Sequence, residues 1–187
     1  MPKQIGTIAG VDVSYVDDAG IGAVAVLDYE SLRLLESQVA ICQVKMPYIP
    51  TLLAFREIPP AMAAIKKLEI QPDVFLVDAQ GWAHPFRCGF ASYLGLAVGK
   101  PTIGVAKSRL IGEPVDMRGQ TFLVDKGEVI GAVVNTKQGA KPVFVSVGHM
   151  VSLETAVKIV RHCSRTRIQE PTMQAHKLAT KEKNWLK

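Results

Sequence analysis

Apolar and β-branched residues crowd positions 5–14, 22–28 and 33–44, and two turn signals, Asp17-Asp18-Ala19-Gly20 and Tyr29-Glu30-Ser31, divide them. Three strands joined by short turns, a meander, are the expected result. After Pro50 the pattern changes period. Positions 51–68 read as a helix with a break or restart at Pro59-Pro60, 73–77 as a buried strand, 87–97 as a helix and 102–106 as the next strand. Further strands are predicted over 121–125, 128–135 and 142–146, with helices over 152–163 and 171–183. A meander followed by such alternation predicts an α/β fold, a mixed β-sheet flanked by helices. No internal repeat or low-complexity linker interrupts it.

Three carboxylates break the apolar pattern. Asp12 interrupts the stretch from Ile5 to Val13, Asp78 closes the run Val74 to Val77, and Glu57 sits in Leu-Leu-Ala-Phe-Arg-Glu. An ionised carboxylate withdrawn from water costs several kcal/mol unless a cation or good donors face it, and hard divalent cations prefer such oxygen ligands. Together the three acids suggest a metal site; each alone is equally readable as a strand-end carboxylate capping helix amides.

Composition narrows the setting. With 187 residues, 48% hydrophobic and 21% charged, the chain is long enough for one well-buried core, so a single domain over 1–187 is expected. No apolar run approaches about eighteen residues, and Met1-Pro2-Lys3-Gln4 has no signal-peptide anatomy, which favours a cytoplasmic protein without a membrane partner. Cys42, Cys88 and Cys163 are too few and scattered for a disulfide framework or zinc ribbon and read as buried thiols. No dimerisation heptad is visible, so a monomer is the default. Charge is uneven: from Lys158 onward eight bases (Lys158, Arg161, Arg165, Arg167, Lys177, Lys181, Lys183, Lys187) face two acids, Glu170 and Glu182. A basic segment beside an acidic metal site suits an enzyme acting on a phosphodiester backbone, although a solvated helical face has the same composition.

The acids arrive with their neighbours. The blocks Ala9-Gly-Val-Asp-Val-Ser-Tyr15, Pro47-Tyr-Ile-Pro50 with Leu52-Leu-Ala-Phe-Arg-Glu57, Gln80-Gly-Trp-Ala-His-Pro85, Pro101-Thr-Ile-Gly-Val-Ala-Lys-Ser108, Gly148-His149 with Val151-Ser-Leu-Glu-Thr-Ala156, and Glu170-Pro-Thr172 with Ala175-His176 resemble those of the endonuclease V family, in its order. That resemblance implies an RNase H-like fold, with Asp12 on the first strand, Asp78 at the end of the fourth and Glu57 on the helix between. It implies a Mg²⁺-dependent endonuclease, with Mn²⁺ as a possible substitute. The implied substrate is DNA or RNA containing deoxyinosine or inosine, cut at the second phosphodiester on the 3′ side of the deaminated base. Asp12 and Asp78 become metal ligands, Glu57 a third ligand or water-positioning group, and His176 a residue that positions water, transfers a proton or reaches the outer metal shell. Lys107 would meet a phosphate oxygen. Pro47, Tyr48, Ile49 and Pro50 form a stiffened loop whose aromatic ring can wedge into a base stack. His84 would support the site or shape the turn before Pro85, and His149 precedes a helix that Ser152 can cap.

The chain also departs from the family pattern. Thr51 and Ala79 stand where glycines are usual, Phe86, Met150 and Met173 where basic residues are usual, and Tyr93 where a histidine is usual. Added β-carbons can narrow a base pocket, and replacing a phosphate-binding base by a neutral side chain weakens binding and flattens its salt dependence. A nuclease of this fold with altered substrate, or a non-catalytic nucleic-acid-binding homologue, are the alternatives.

Overall fold

A computed structural model describes residues 4–117 and 119–186; Met1–Lys3 at the amino terminus and Lys187, counted above with the basic segment, lie outside them. The meander is present as β1 (Thr7–Val16), β2 (Ala19–Asp28) and β3 (Leu34–Gln43), followed by α1 (Leu53–Ile65), β4 (Val74–Val77), α2 (Phe90–Val98) and β5 (Thr102–Ala106). Four more strands, β6 (Glu113–Met117), β7 (Gln120–Asp125), β8 (Glu128–Val134) and β9 (Val143–His149), precede α3 (Leu153–His162) and α4 (Glu170–Trp185). All nine strands join one sheet in the order β3-β2-β1-β4-β5-β9-β8-β7-β6. β1, β4 and β5 run parallel at its centre, and every other pairing is antiparallel. This is the expected mixed α/β sheet. No described helix is long and apolar enough to cross a membrane.

Strand periodicity divides the core in two. Ala9, Val11, Phe75 and Val77 face α1 and α2, where Ala61, Ala64, Phe90 and Leu94 cover them. Ile8, Val74 and Leu76 face the other way, onto Ala156, Val160 and Ala175 of α3 and α4. Both faces of the central strands are therefore dry, which explains their continuous apolar sequences.

Two glycines set how closely the helices approach. A β-carbon on Gly10 would lie 2.0 Å from the carbonyl of Pro171 in α4, and one on Gly22 would lie 2.0 Å from the carbonyl oxygen of Pro60 in α1. Contrary to the break expected at Pro59-Pro60, α1 runs through both prolines. The carbonyls of Phe55 and Arg56 lose their helical donors there, yet seating the Pro60 backbone on the bare surface of Gly22 holds the turn in place.

Other boundaries also moved. α2 begins at Phe90 rather than 87, because residues 80–89 form a folded-back loop in which Gly89 N donates to Gly81 O (2.9 Å) and Ala91 N to Gln80 O (3.0 Å). β6 gave no signal in the sequence: it is an edge strand, largely exposed, carrying Pro114, and with no buried face it has no apolar alternation to read.

Candidate active site and nucleic-acid interface

The site forms at the carboxyl ends of the parallel strands, where open α/β sheets place ligands. Alternation along β1 turns Val11 toward α1 and Asp12 toward α4, the side on which Gly10 admits Pro171. One turn after that close approach, α4 presents His176, whose Nδ1 lies 2.8 Å from Asp12 Oδ2. Asp78 follows the last residue of β4, its amide donating to Val11 O (3.1 Å), so the two aspartates end adjacent strands side by side. Lys107, the first residue after β5, pairs with Asp78 Oδ2. One ligand atom each from Asp12, Asp78 and His176 lie within 4.8 Å of one another.

Glu57 comes from α1 on the opposite face. It stands outside that three-residue cluster yet is 9% exposed, and its Oε2 is buried without a hydrogen-bond partner. Burial, then the negative charges of Asp12 and Asp78, push its carboxyl up to about 8. The Asp12 carboxyl is likewise raised, first by burial and then by Asp78, with the hydrogen bond to His176 opposing. Glu57 and Asp12 are thus both costly to ionise, and Lys107 with His176 answer only part of that cost at Asp12. An orphaned carboxylate oxygen beside two aspartates and an imidazole is a donor set that fits a divalent cation. Asp12, Asp78 and His176 would hold it, with Glu57 at its edge; His176 thereby stands closer to the ligand set than an outer-shell role requires.

The Pro47-Tyr-Ile-Pro50 loop, expected to act as a wedge, lies at the surface. Pro47, Tyr48, Ile49 and Pro50 are all exposed, Tyr48 at 67%, so the tyrosine is not a core residue. Arg56 anchors the loop, donating to Met46 O (2.7 Å) while its guanidinium lies 4.5 Å from the centre of the Tyr15 ring. Beside the loop is a cavity of about 150 Å³ whose walls include Tyr48, Thr51, His84, Phe90 and Leu110. A second, more open groove of about 340 Å³ runs past Asp78, Lys107 and Arg109. Leu53, Glu57, Ala79, Gln80 and Leu110 line both, so cavity and groove share a wall, and the groove reaches Asp78 of the acidic cluster.

His84 belongs to the cavity wall and to the turn. It is buried, its Nδ1 accepts from Phe86 N (3.3 Å), and burial lowers its pKa, with a backbone hydrogen bond to Thr51 opposing. Thr51 has φ +68°, a left-handed conformation that strains a β-branched residue. Ala79 places its side chain between cavity and groove. His149 ends β9, packs against Gly95 of α2, and leads into α3, where Ser152 accepts from Thr155 N (3.2 Å).

Two residues escaped the sequence reading. Gln80, which lines both cavity and groove, donates from Nε2 to Ser108 O (3.0 Å), and its Oε1 is buried without a partner; its place in the block beginning Gln80-Gly was the available signal. Arg167, read only as one of a run of bases, donates to the carbonyls of Lys107 (3.0 Å), Lys141 (2.8 Å) and Pro142 (3.2 Å), bracing the strand end that carries Lys107. Nothing local marks it. Arg165, bonded to Ser31 O, and Lys158, paired with Glu154, are also engaged within the fold, so the basic segment is partly structural.

Comparison with known proteins agrees with this geometry. The family model described as Endonuclease V matches residues 1–177. Endonuclease V of Thermofilum pendens is 46% identical over 183 residues, covering 96% of this chain and 79% of that protein, and that of a Roseiflexus species is 47% identical over 181 residues, covering 94% and 82%. Among solved structures, endonuclease V of Streptomyces avermitilis superposes with a TM-score of 0.92 at 39% identity, covering 97% of this chain and 83% of the other. Ciona intestinalis endonuclease V, in complex with a 24mer DNA containing an inosine followed by a ribo-adenosine, superposes at 0.87 and 33% identity, covering 98% and 88%.

Proposed function

This chain belongs to the endonuclease V family and is a nuclease, and we propose that it is a Mg²⁺-dependent endonuclease that recognises deoxyinosine or inosine and hydrolyses the second phosphodiester on its 3′ side. The observation that carries the proposal is the continuity of three features: an exposed aromatic wedge, a cavity behind it, and a carboxylate cluster one wall away. Tyr48 fills the gap left in the stack when a base is extruded, an exchange supported by stacking of about 1–3 kcal/mol per aromatic contact. The extruded base enters the 150 Å³ cavity, one wall of which is Gln80.

Asp12, Asp78 and His176 hold the cation, with Glu57 positioning water at its edge. Mg²⁺ bound there supplies charge neutralisation at the phosphate and a water more readily deprotonated than bulk water. Lys107, held by Asp78 and braced through its carbonyl by Arg167, places a positive charge in the groove where the non-bridging phosphate oxygens accumulate charge. The protein acts as a single catalytic domain and a cytoplasmic monomer.

The test is cleavage mapping on matched DNA and RNA strands, each with one inosine or a guanine control, in Mg²⁺ and then in Mn²⁺, with Asp12→Asn alongside. A cut one nucleotide beyond the inosine, absent in the variant, is the expected result. Unchanged cleavage by Asp12→Asn removes Asp12 from the mechanism, and equal cutting of the guanine strands removes inosine recognition.

A further inference from the structure

We propose that the apolar cleft beside the inosine cavity, across Thr51 and Ala54, is a second base subsite, which stacks an unpaired nucleobase flanking the inosine; the inference rests on the function proposed above. The cleft has a volume of about 300 Å³ and an aromatic wall built by Phe55, Phe86 and Tyr93. Thr51 and Ala54 separate it from the inosine cavity and line both, so a strand whose base enters one passes over the other. Phe86 is 66% exposed and Phe55 47%. Two phenyl rings held in water at the rim of a groove mark a surface that is covered in use.

The rings are fixed rather than loose. Phe55 and Tyr93 meet edge to face at 5.2 Å between centroids, and Phe86 leans on the His84 ring at 5.8 Å, itself part of the inosine cavity wall. A ligand with a flat π-face fits such a wall whatever its edge pattern, so the subsite is tolerant of base identity. It needs that base out of its pair, so strands unpaired beside the inosine bind better than a continuous duplex.

Fluorescence anisotropy in EDTA with inosine-containing DNA and RNA single strands tests the subsite. Each of the two nucleotides on either side of the inosine is replaced in turn by an abasic unit. At one flanking position the abasic unit is expected to weaken binding by roughly ten-fold, the value of one stacked base. Phe86→Ala, a change at an exposed ring, should weaken the intact strand by the same factor and add nothing to that abasic strand. Phe86→Trp should restore the affinity, and Phe86→Arg should steepen the log–log salt dependence by about 0.7. Equal weakening of every strand by Phe86→Ala would overturn the subsite. No weakening of any strand would also overturn it and leave the cleft to a protein partner. If the wild type fails to separate inosine from guanine, the proposed function fails, while the same abasic scan on the guanine strands still decides the stack.

Discussion

Removing the charge of Glu57 should make the metal-free protein more stable at alkaline pH while weakening catalysis. In the folded chain this carboxyl titrates at about 8 instead of its ordinary 4.5, because burial and then Asp12 and Asp78 disfavour its anion. Unfolded, it ionises near 4.5. Between those values the unfolded state has released the proton and the folded state still holds it, so stability falls as pH rises through this window and levels off above about 8. The full difference corresponds to about 4–5 kcal/mol for one group, and the raised Asp12 carboxyl adds in the same direction. Urea unfolding of EDTA-treated protein at intervals from about pH 4.5 to 8.5 should therefore show wild-type stability dropping relative to Glu57→Gln by roughly 2–5 kcal/mol across the range. Any uniform offset from burying the amide is independent of pH and does not alter that slope. Mg²⁺ should restore stability to the wild type more at about pH 8 than at about pH 5, since it binds the deprotonated cluster. Parallel pH profiles for the two proteins would refute the reasoning, and would mean that Glu57 ionises normally and is not buried against its neighbours.

Three other substitutions test how the fold builds the site. Thr51→Gly should raise stability by about 0.5–1 kcal/mol, read as a Tm increase of a few degrees, since glycine relieves the left-handed backbone at φ +68°; an unchanged or lower Tm would count against strain at that residue. Gly10→Ala should destabilise by about 3 kcal/mol or more, because its β-carbon would sit 2.0 Å from the Pro171 carbonyl, and cleavage should fall with it as α4 carries His176 away from Asp12. A stable, fully active Gly10→Ala protein would show that this helix contact does not set the site. Tyr48→Ala should leave stability within about 0.5 kcal/mol, as expected for an exposed residue, and reduce the preference for inosine over guanine more than it reduces overall binding; equal losses would deny the wedge its role in recognition.

Much of the architecture was legible in the pattern of the chain. β5 matched its predicted bounds, and the meander, β4 and both carboxy-terminal helices appeared within a few residues of their expected ends, because elements with a buried face carry a period that propensity alone need not supply. The exceptions are elements governed by something other than periodicity. β6 has no buried face, and α1 continues through two prolines because of a glycine on another strand.

Local chemistry was enough to say that acids in buried strands need compensation, but it left open whether the Pro47-Tyr-Ile-Pro50 loop stands apart from the core or packs Tyr48 into it. A carboxylate in an apolar run needs compensation, and two prolines restrict the backbone wherever they fall. Which partners those groups meet was settled by the folded arrangement alone. Asp12 and His176 are joined because Gly10 lets α4 approach β1; Gln80 bonds to the carbonyl of Ser108; Arg167 braces Lys107 from sixty positions away; and Phe86, Phe55 and Tyr93 gather into one wall. These are distances between residues remote in the chain, set by sheet order and helix approach, and no local period in the sequence encodes them.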